Sequence, residues 1–302
     1  MKKARESGLF HWIYLRSMRL PRHRAASIDH FSGTFSQYDW PMTLAHLIVA
    51  AAFLAPAPPP APSLEGDLMT DGKAALEAAF AAARSASHAG PQDVKITDQA
   101  IVHLPAGMVF VPKAEAIRLL ALTGRGPTRE TVGMIFPAGE WKSWHLVAQY
   151  FPAGYVKDDD ADWSADEILE GFKTVEVQVN RQKRQIGETQ TQIVGWIEPP
   201  VYDRASHWLL WAIAFRSKSP AAHPEMNYKV YFLGREGYVD MGLVAHAGAL
   251  ETPKRAVRKL LGAFEFVPGK RYSDFTSSTD RVAPHGLREL VGGSRKRRVS
   301  TP

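Results

Sequence analysis

The chain has no cysteine in 302 residues, which excludes disulfide scaffolds, thiolate zinc sites, iron–sulfur clusters and cysteine nucleophiles. No apolar run approaches the ~20 residues a helix needs to cross a bilayer. His-Glu-x-x-His, any histidine pair at i and i+4, Gly-x-Ser-x-Gly and the Walker loop are all absent. Gly124-Arg125-Gly126 lacks the third glycine of a dinucleotide fingerprint and follows a helix instead of preceding one. Zincin, serine-hydrolase, nucleotide-hydrolase and dinucleotide chemistries therefore have no support, and no cofactor is implied. What is present, 45% hydrophobic and 23% charged residues, is ordinary for a globular chain with a sizeable core.

The formal charge of +6 belongs to the ends. Residues 1–41 hold seven Lys/Arg against three acids, and Arg295, Lys296, Arg297 and Arg298 add four more positive charges. The remainder is −2, so the folded part has no basic stripe of the kind that grips a phosphate backbone. Specific nucleic-acid binding is not expected. Arg181, Lys183 and Arg184 read as a solvated helix face.

Leu44–Ala55 is twelve mainly apolar residues followed by Pro-Ala-Pro-Pro-Pro-Ala-Pro-Ser, which fits the apolar core of a secretory signal with small residues for cleavage after it. The positive flank is either the arginine-rich segment 16–24 or is bypassed by a start at Met42. The expected organisation is a non-structural extension over 1–41, a signal-like segment over 42–57 and a proline-rich linker over 58–70. An α+β domain over 71–282 and a basic flexible tail over 283–302 complete it.

Within 71–282, Leu76, Ala79, Phe80 and Ala83 lie at helical spacing, and Lys113–Thr123 places Ala114, Ile117, Leu120 and Ala121 on one side. Ser164-Ala165-Asp166-Glu167 is a capping box that starts a helix through about Arg184, with Ile168, Leu169, Phe172, Val175 and Val179 inward. Thr252-Pro253 caps a further helix with the proline at its first position. Alternation predicts strands at 94–96, 99–104, 108–111, 131–136, 144–151, 192–196, 208–215, 228–233, 238–246 and 264–267, with a turn at Pro199-Pro200. Consecutive strands joined by short turns pair antiparallel, so the fold class is a single α+β domain with a mainly antiparallel sheet and helices packed on it.

Several unusual strings stand in one order. Leu104-Pro105-Ala106-Gly107 comes first, followed by Gly154-Tyr155-Val156-Lys157-Asp158-Asp159-Asp160-Ala161 and Gly195-Trp196-Ile197-Glu198-Pro199-Pro200 with Tyr202-Asp203. Leu210-Trp211-Ala212, Asn227-Tyr228 and Leu233-Gly234-Arg235-Glu236-Gly237 complete the set. Together they resemble an uncharacterised bacterial family, domain-of-unknown-function family 2167, over roughly Gly90 to Val282. The resemblance implies an exported protein and, in typical members, a C-terminal membrane anchor. It implies no reaction. Here the anchor is replaced by Pro284-His285-Gly286 and the basic run, with no spanning segment at this C-terminus. The helix-then-strand ending is also similar in fold to small accessory domains of the PsbP-like type.

The most conspicuous polar cluster is Asp158-Asp159-Asp160 with Asp162. Hard cations take several carboxylate oxygens from one loop, so a metal-assisted hydrolase built on Asp158–Asp162 is the alternative function. The competing reading is a solvated loop whose acids favour the N-terminus of the next helix. Trp141, Trp144, Tyr150, Tyr155, Trp196, Tyr202, Trp208 and Trp211 exceed what one covered sheet face requires. If they line a groove, Tyr155, Lys157, Asp159, Asn227 and Arg235 are its rim. The candidate binding residues are therefore Tyr155, Lys157, Asp158, Asp159, Asp160, Asn227 and Arg235. The expected function is that of a non-catalytic binding or scaffolding domain in the cell envelope, whose partner is an unidentified envelope protein or ligand.

Overall fold

A computed structural model describes residues 64–123, 126–141, 143–218, 225–245 and 250–292, with side chains from Gly72 onward. The signal-like segment 42–57 and the run 295–298 lie outside the described residues. The chain divides by its contacts at Asp71. The described residues from Gly72 form one compact unit, and of the other unit, Leu20–Asp71, only the helical stretch from Leu64 is described.

The elements in chain order are α1 (Leu64–Ala86), β1 (His88–Ala89), β2 (Gln92–Ile96), β3 (Ala100–Leu104), β4 (Met108–Pro112), α2 (Lys113–Leu122), β5 (Thr131–Pro137) and β6 (Trp144–Phe151). Then follow α3 (Ala165–Gln185), β7 (Thr191–Asp203), β8 (Trp208–Ser217), β9 (Glu225–Leu233), β10 (Tyr238–Ala245), α4 (Glu251–Leu261), β11 (Phe264–Phe266) and the short helix α5 (Leu287–Leu290). Eight strands form one sheet in the order β1-β4-β5-β6-β10-β9-β8-β7, and β11-β3-β2 form a second. Every pairing is antiparallel. The architecture is α+β, as the pattern of alternating strands and short turns predicts.

The period of two sorts the large sheet into two faces. On one, Phe110, Ile135, Leu146, Leu210, Val230, Phe232 and Met241 pack against Val102 and Leu104 of the small sheet and Val257 and Leu260 of α4. The other face carries two separate clusters. Ala79 and Ala83 of α1 and Leu119 and Leu120 of α2 cover Val109, Val111 and Phe136. Ile168 and Phe172 of α3, with Tyr272, Leu287 and Val291, cover Leu209, Trp211 and Leu233. On this second face Lys229 donates from Nζ to both carboxylate oxygens of Asp240, at 2.7 and 3.0 Å. Both side chains are about nine-tenths buried. Burial pushes the Asp240 carboxyl above its ordinary value, and Lys229 pulls it back.

Several sequence expectations are corrected. α1 begins at Leu64, inside the stretch read as linker. The buried side of α2 is Ala116, Leu119 and Leu120, while Ala114 and Ala121 are exposed. Leucine gains more from burial than alanine, so Leu119 sets the phase. Lys183 is buried, not part of a solvated face, and desolvation lowers its pKa. α4 starts at Glu251, which puts Pro253 in its first turn but not at its first position. Pro199-Pro200 is no turn. β7 runs through it to Asp203, and the register against β8 skips both prolines between Glu198 and Val201. A bulge on an edge strand needs no amide donor there, which is where proline is tolerated. The start of that edge is capped by α3: Asn180 both accepts from Thr191 N and donates to Thr191 O, and Glu176 accepts from Ile193 N. Finally, residues 283–292 are no loose tail, because Ala283, Leu287, Leu290 and Val291 are buried.

Candidate functional site

Strand register places three connections at one end of the large sheet. Phe151 at the end of β6 faces Tyr238, which faces Leu233, and Phe232 faces Trp208. The loop after β6, the β9–β10 turn and the β7–β8 turn therefore adjoin. The C-terminal segment fastens onto them. Tyr155 forms a parallel bridge with Val282, and Gly234 an antiparallel bridge with Arg271. Gly154 permits this approach: its φ is +92°, and a Cβ there would press on the Arg281 carbonyl oxygen.

At this junction the Tyr202 hydroxyl donates to Asp158 Oδ2 at 3.0 Å and lies 3.0 Å from His207 Nδ1. The His207 ring stacks on Tyr272 at 4.1 Å, and Tyr272 stacks in turn on Tyr155 at 4.3 Å. Phe275 covers Tyr155 at 3.8 Å. The Tyr272 hydroxyl donates to Val156 O. Asp203 accepts from the amides of Ala205 and Ser206, which builds the turn that delivers His207 in a left-handed conformation, φ +53°. Arg204, largely exposed, lies 3.6 Å from Asp158. Burial and the Asp158 carboxylate push the Tyr202 hydroxyl far above its ordinary pKa, and burial does the same to Tyr272. Both remain protonated donors. Burial lowers the His207 pKa against the pull of Asp158 and Asp203.

The predicted residues divide. Tyr155 and Asp158 belong to this cluster. Lys157 and Asp159 are exposed beside it. Asp160 turns away and accepts from the Arg288 amide at the start of α5, where Gly286 leaves room for it. Asp158 and Asp160 thus have separate partners, and among the described residues no three His, Asp or Glu side chains converge on one point. Arg235 is no free rim residue. It forms a two-pronged pair with Asp280 at 2.7 and 2.8 Å and ties the β9–β10 turn to the C-terminal segment. Its guanidinium holds the Asp280 carboxyl well below the usual carboxylate range. Asn227 is a correction too. It is buried within β9 and its Nδ2 has no partner among the described residues. Tyr228 takes the core side, and alternation sends Asn227 to the opposite, covered face.

Most of the aromatic set is packing. Trp141, Trp144 and Trp211 are buried, and Trp196 and Trp211 pack edge to face. Glu198, another residue of the ordered strings, bridges β7 to Lys254 and Arg258 of α4 at 3.0 and 3.1 Å. Sequence reading missed His207, Tyr272, Phe275 and Asp280. Only the Tyr202-Asp203 pair just before His207 marked the place, and nothing local links 155 to 272.

A search of curated proteins gives no match to this chain. Among solved structures the chain is similar to the solution structure of cyanobacterial PsbP (CyanoP) from Synechocystis sp. PCC 6803, at 12% identity and a TM-score of 0.35, over 58% of this chain and 91% of that one. A family model described as "Protein of unknown function (DUF2167)" matches residues 88–300. That span contains every one of the ordered strings and every residue of the junction just described, and the chain belongs to this family of unknown function.

Proposed function

We propose that the protein is an exported, non-catalytic binding domain of the bacterial cell envelope, which meets its partner at the end of the large sheet where the β6–α3 loop, the β7–β8 turn and the C-terminal segment join. The observation that carries this reading is how the polar groups there are used. Asp158, Asp160, Arg235 and Asp280 are spent on holding the loops to one another, and Asp203 on building its own turn. Lys157, Asp159 and Arg204 are left exposed on that braced surface. A preorganised surface with exposed charge suits recognition of a partner, because little ordering entropy is lost on binding. Export is supported by the signal-like segment 42–57. No helix among the described residues is long and apolar enough to cross a membrane.

Fractionation of the native protein with N-terminal sequencing tests the address. A periplasmic or envelope fraction with a processed start near residues 55–63 is expected, and full-length protein confined to the cytoplasm overturns it. A photo-reactive residue in place of Arg204 tests the surface. One discrete envelope adduct is expected, and no adduct at any pH overturns the binding reading.

A further inference from the structure

We propose that Asp158 and Tyr202 hold His207 with its proton on Nδ1, so that Nε2 serves as a hydrogen-bond acceptor for a hydroxyl or amide N–H group of the ligand. Proton uptake inverts this role. The proposal rests on the binding reading above and names the chemistry the surface recognises. Its basis is the order of donors along the relay. A carboxylate only accepts, and the Tyr202 hydroxyl donates its single proton to Asp158 Oδ2. The hydroxyl oxygen can then only accept from His207 Nδ1, 3.0 Å away. In the neutral ring Nε2 therefore carries the lone pair.

His207 is only partly buried, and Nε2 has no partner among the described residues and is not among the sealed, unpaired polar atoms. The backbone supports the placement. His207 has positive φ, uncommon outside glycine, and its carbonyl accepts from Leu233 N, so turn and strand fix the backbone that carries the ring. Stacking on Tyr272 removes the remaining freedom.

The charged and titratable groups around the imidazole come from every neighbouring element. They are Asp158 and Tyr155 from the β6–α3 loop, Tyr202, Asp203 and Arg204 from β7 and its turn, and Tyr272 from the C-terminal segment. Desolvation outweighs the two acids and keeps the ring neutral at neutral pH. When His207 does take up a proton, Nδ1–H still donates to Tyr202. The loops stay tied while Nε2 alone changes from acceptor to donor. A ligand donor that met a lone pair then meets a proton.

The test uses the full chain labelled with nitrogen-15 in histidine. A long-range proton–nitrogen correlation spectrum is expected to show neutral His207 protonated on Nδ1, with a midpoint below the ordinary 6.5. Tyr202→Phe is expected to shift the population toward Nε2–H. Diethyl pyrocarbonate acylates neutral imidazole nitrogen, and mapped modification of His207 should slow about tenfold one pH unit below the midpoint. A dominant Nε2–H form in the wild type overturns the proposal, as does a His207 that resists acylation while other half-exposed histidines react. The Arg204 adduct supplies the ligand arm. Its yield should fall with the same midpoint, and His207→Asn should abolish it at every pH. Asparagine keeps the donor to Tyr202, tolerates positive φ and lacks Nε2. An adduct indifferent to both overturns the ligand role. Absence of any wild-type adduct defeats the binding reading itself, whatever the tautomer.

Discussion

Replacing Lys229 with methionine removes the charge partner that Asp240 has among the described residues and leaves the stem volume nearly unchanged. The carboxylate would then sit on a covered sheet face with a side-chain exposure of 8%. Losing one member of a buried pair costs about 3–5 kcal/mol, a large share of a typical domain stability of about 5–15 kcal/mol. Removing both charges, as Lys229→Met with Asp240→Leu, should restore stability to near the wild type, because the desolvation cost of both ions disappears with them. The effect of pH follows from the direction of the Asp240 shift. Its folded pKa lies above the ordinary 3.8, so the folded state binds the proton first, and stability falls as pH rises through the window above 3.8. Lys229 is what limits that window. In the single variant it widens, so the penalty is greatest near neutrality and shrinks toward acid by at most about 1.4 kcal/mol per pH unit. Urea unfolding at pH 7 and pH 4.5 measures both. A cost below about 1 kcal/mol at pH 7, or one that does not change with pH, refutes the reasoning that this pair is dry and internally compensated.

Three further outcomes are expected. Arg235→Ala should loosen residues 271–292, read as faster amide exchange and proteolysis there with the sheet amides unchanged. Because Asp280 is held below its ordinary value, the wild-type tie is present above pH 3.8 and is lost only as pH falls through the depressed value; uniform protection in the variant at pH 7 counts against it. Gly154→Ala, at φ +92° and against the Arg281 carbonyl, should destabilise by about 1–3 kcal/mol in denaturant unfolding, and an unchanged midpoint contradicts the close approach. Asn180→Ala uncovers the amide and carbonyl of Thr191 on the outer edge of β7 and should raise concentration-dependent association in light scattering. Scattering identical to the wild type means that the edge is guarded by something else.

The strands were readable because alternation and turn residues act locally. β6, whose burial alternates from Trp144 to Gln149, is legible from end to end. β7 was cut short at Pro199-Pro200, since a sequence does not reveal that a strand lies at an edge and carries a bulge. α2 was found with its face turned by about a residue, because alanines supply periodicity without much burial. The site was half legible. Tyr155 and Asp158 stand in a distinctive string, but their partners Tyr202, His207 and Tyr272 come from elements that only the sheet order brings together. Asn227 was misplaced by its parity in β9. Arg235 was misread because its partner Asp280 follows it by 45 residues.

The clasp of the C-terminal segment over the Tyr155 loop has a consequence for how the protein is made. Tyr272 reaches Val156 across 116 residues of chain, and the bridge from Tyr155 goes on to Val282. During synthesis all eleven strands among the described residues have been made before Tyr272 appears. The junction around Tyr202 and His207 is therefore completed only after every described strand is in place. A chain interrupted after β11 would hold every described strand of both sheets and lack Tyr272, Phe275 and Asp280, so it would have the sheet end without the segment that closes over it.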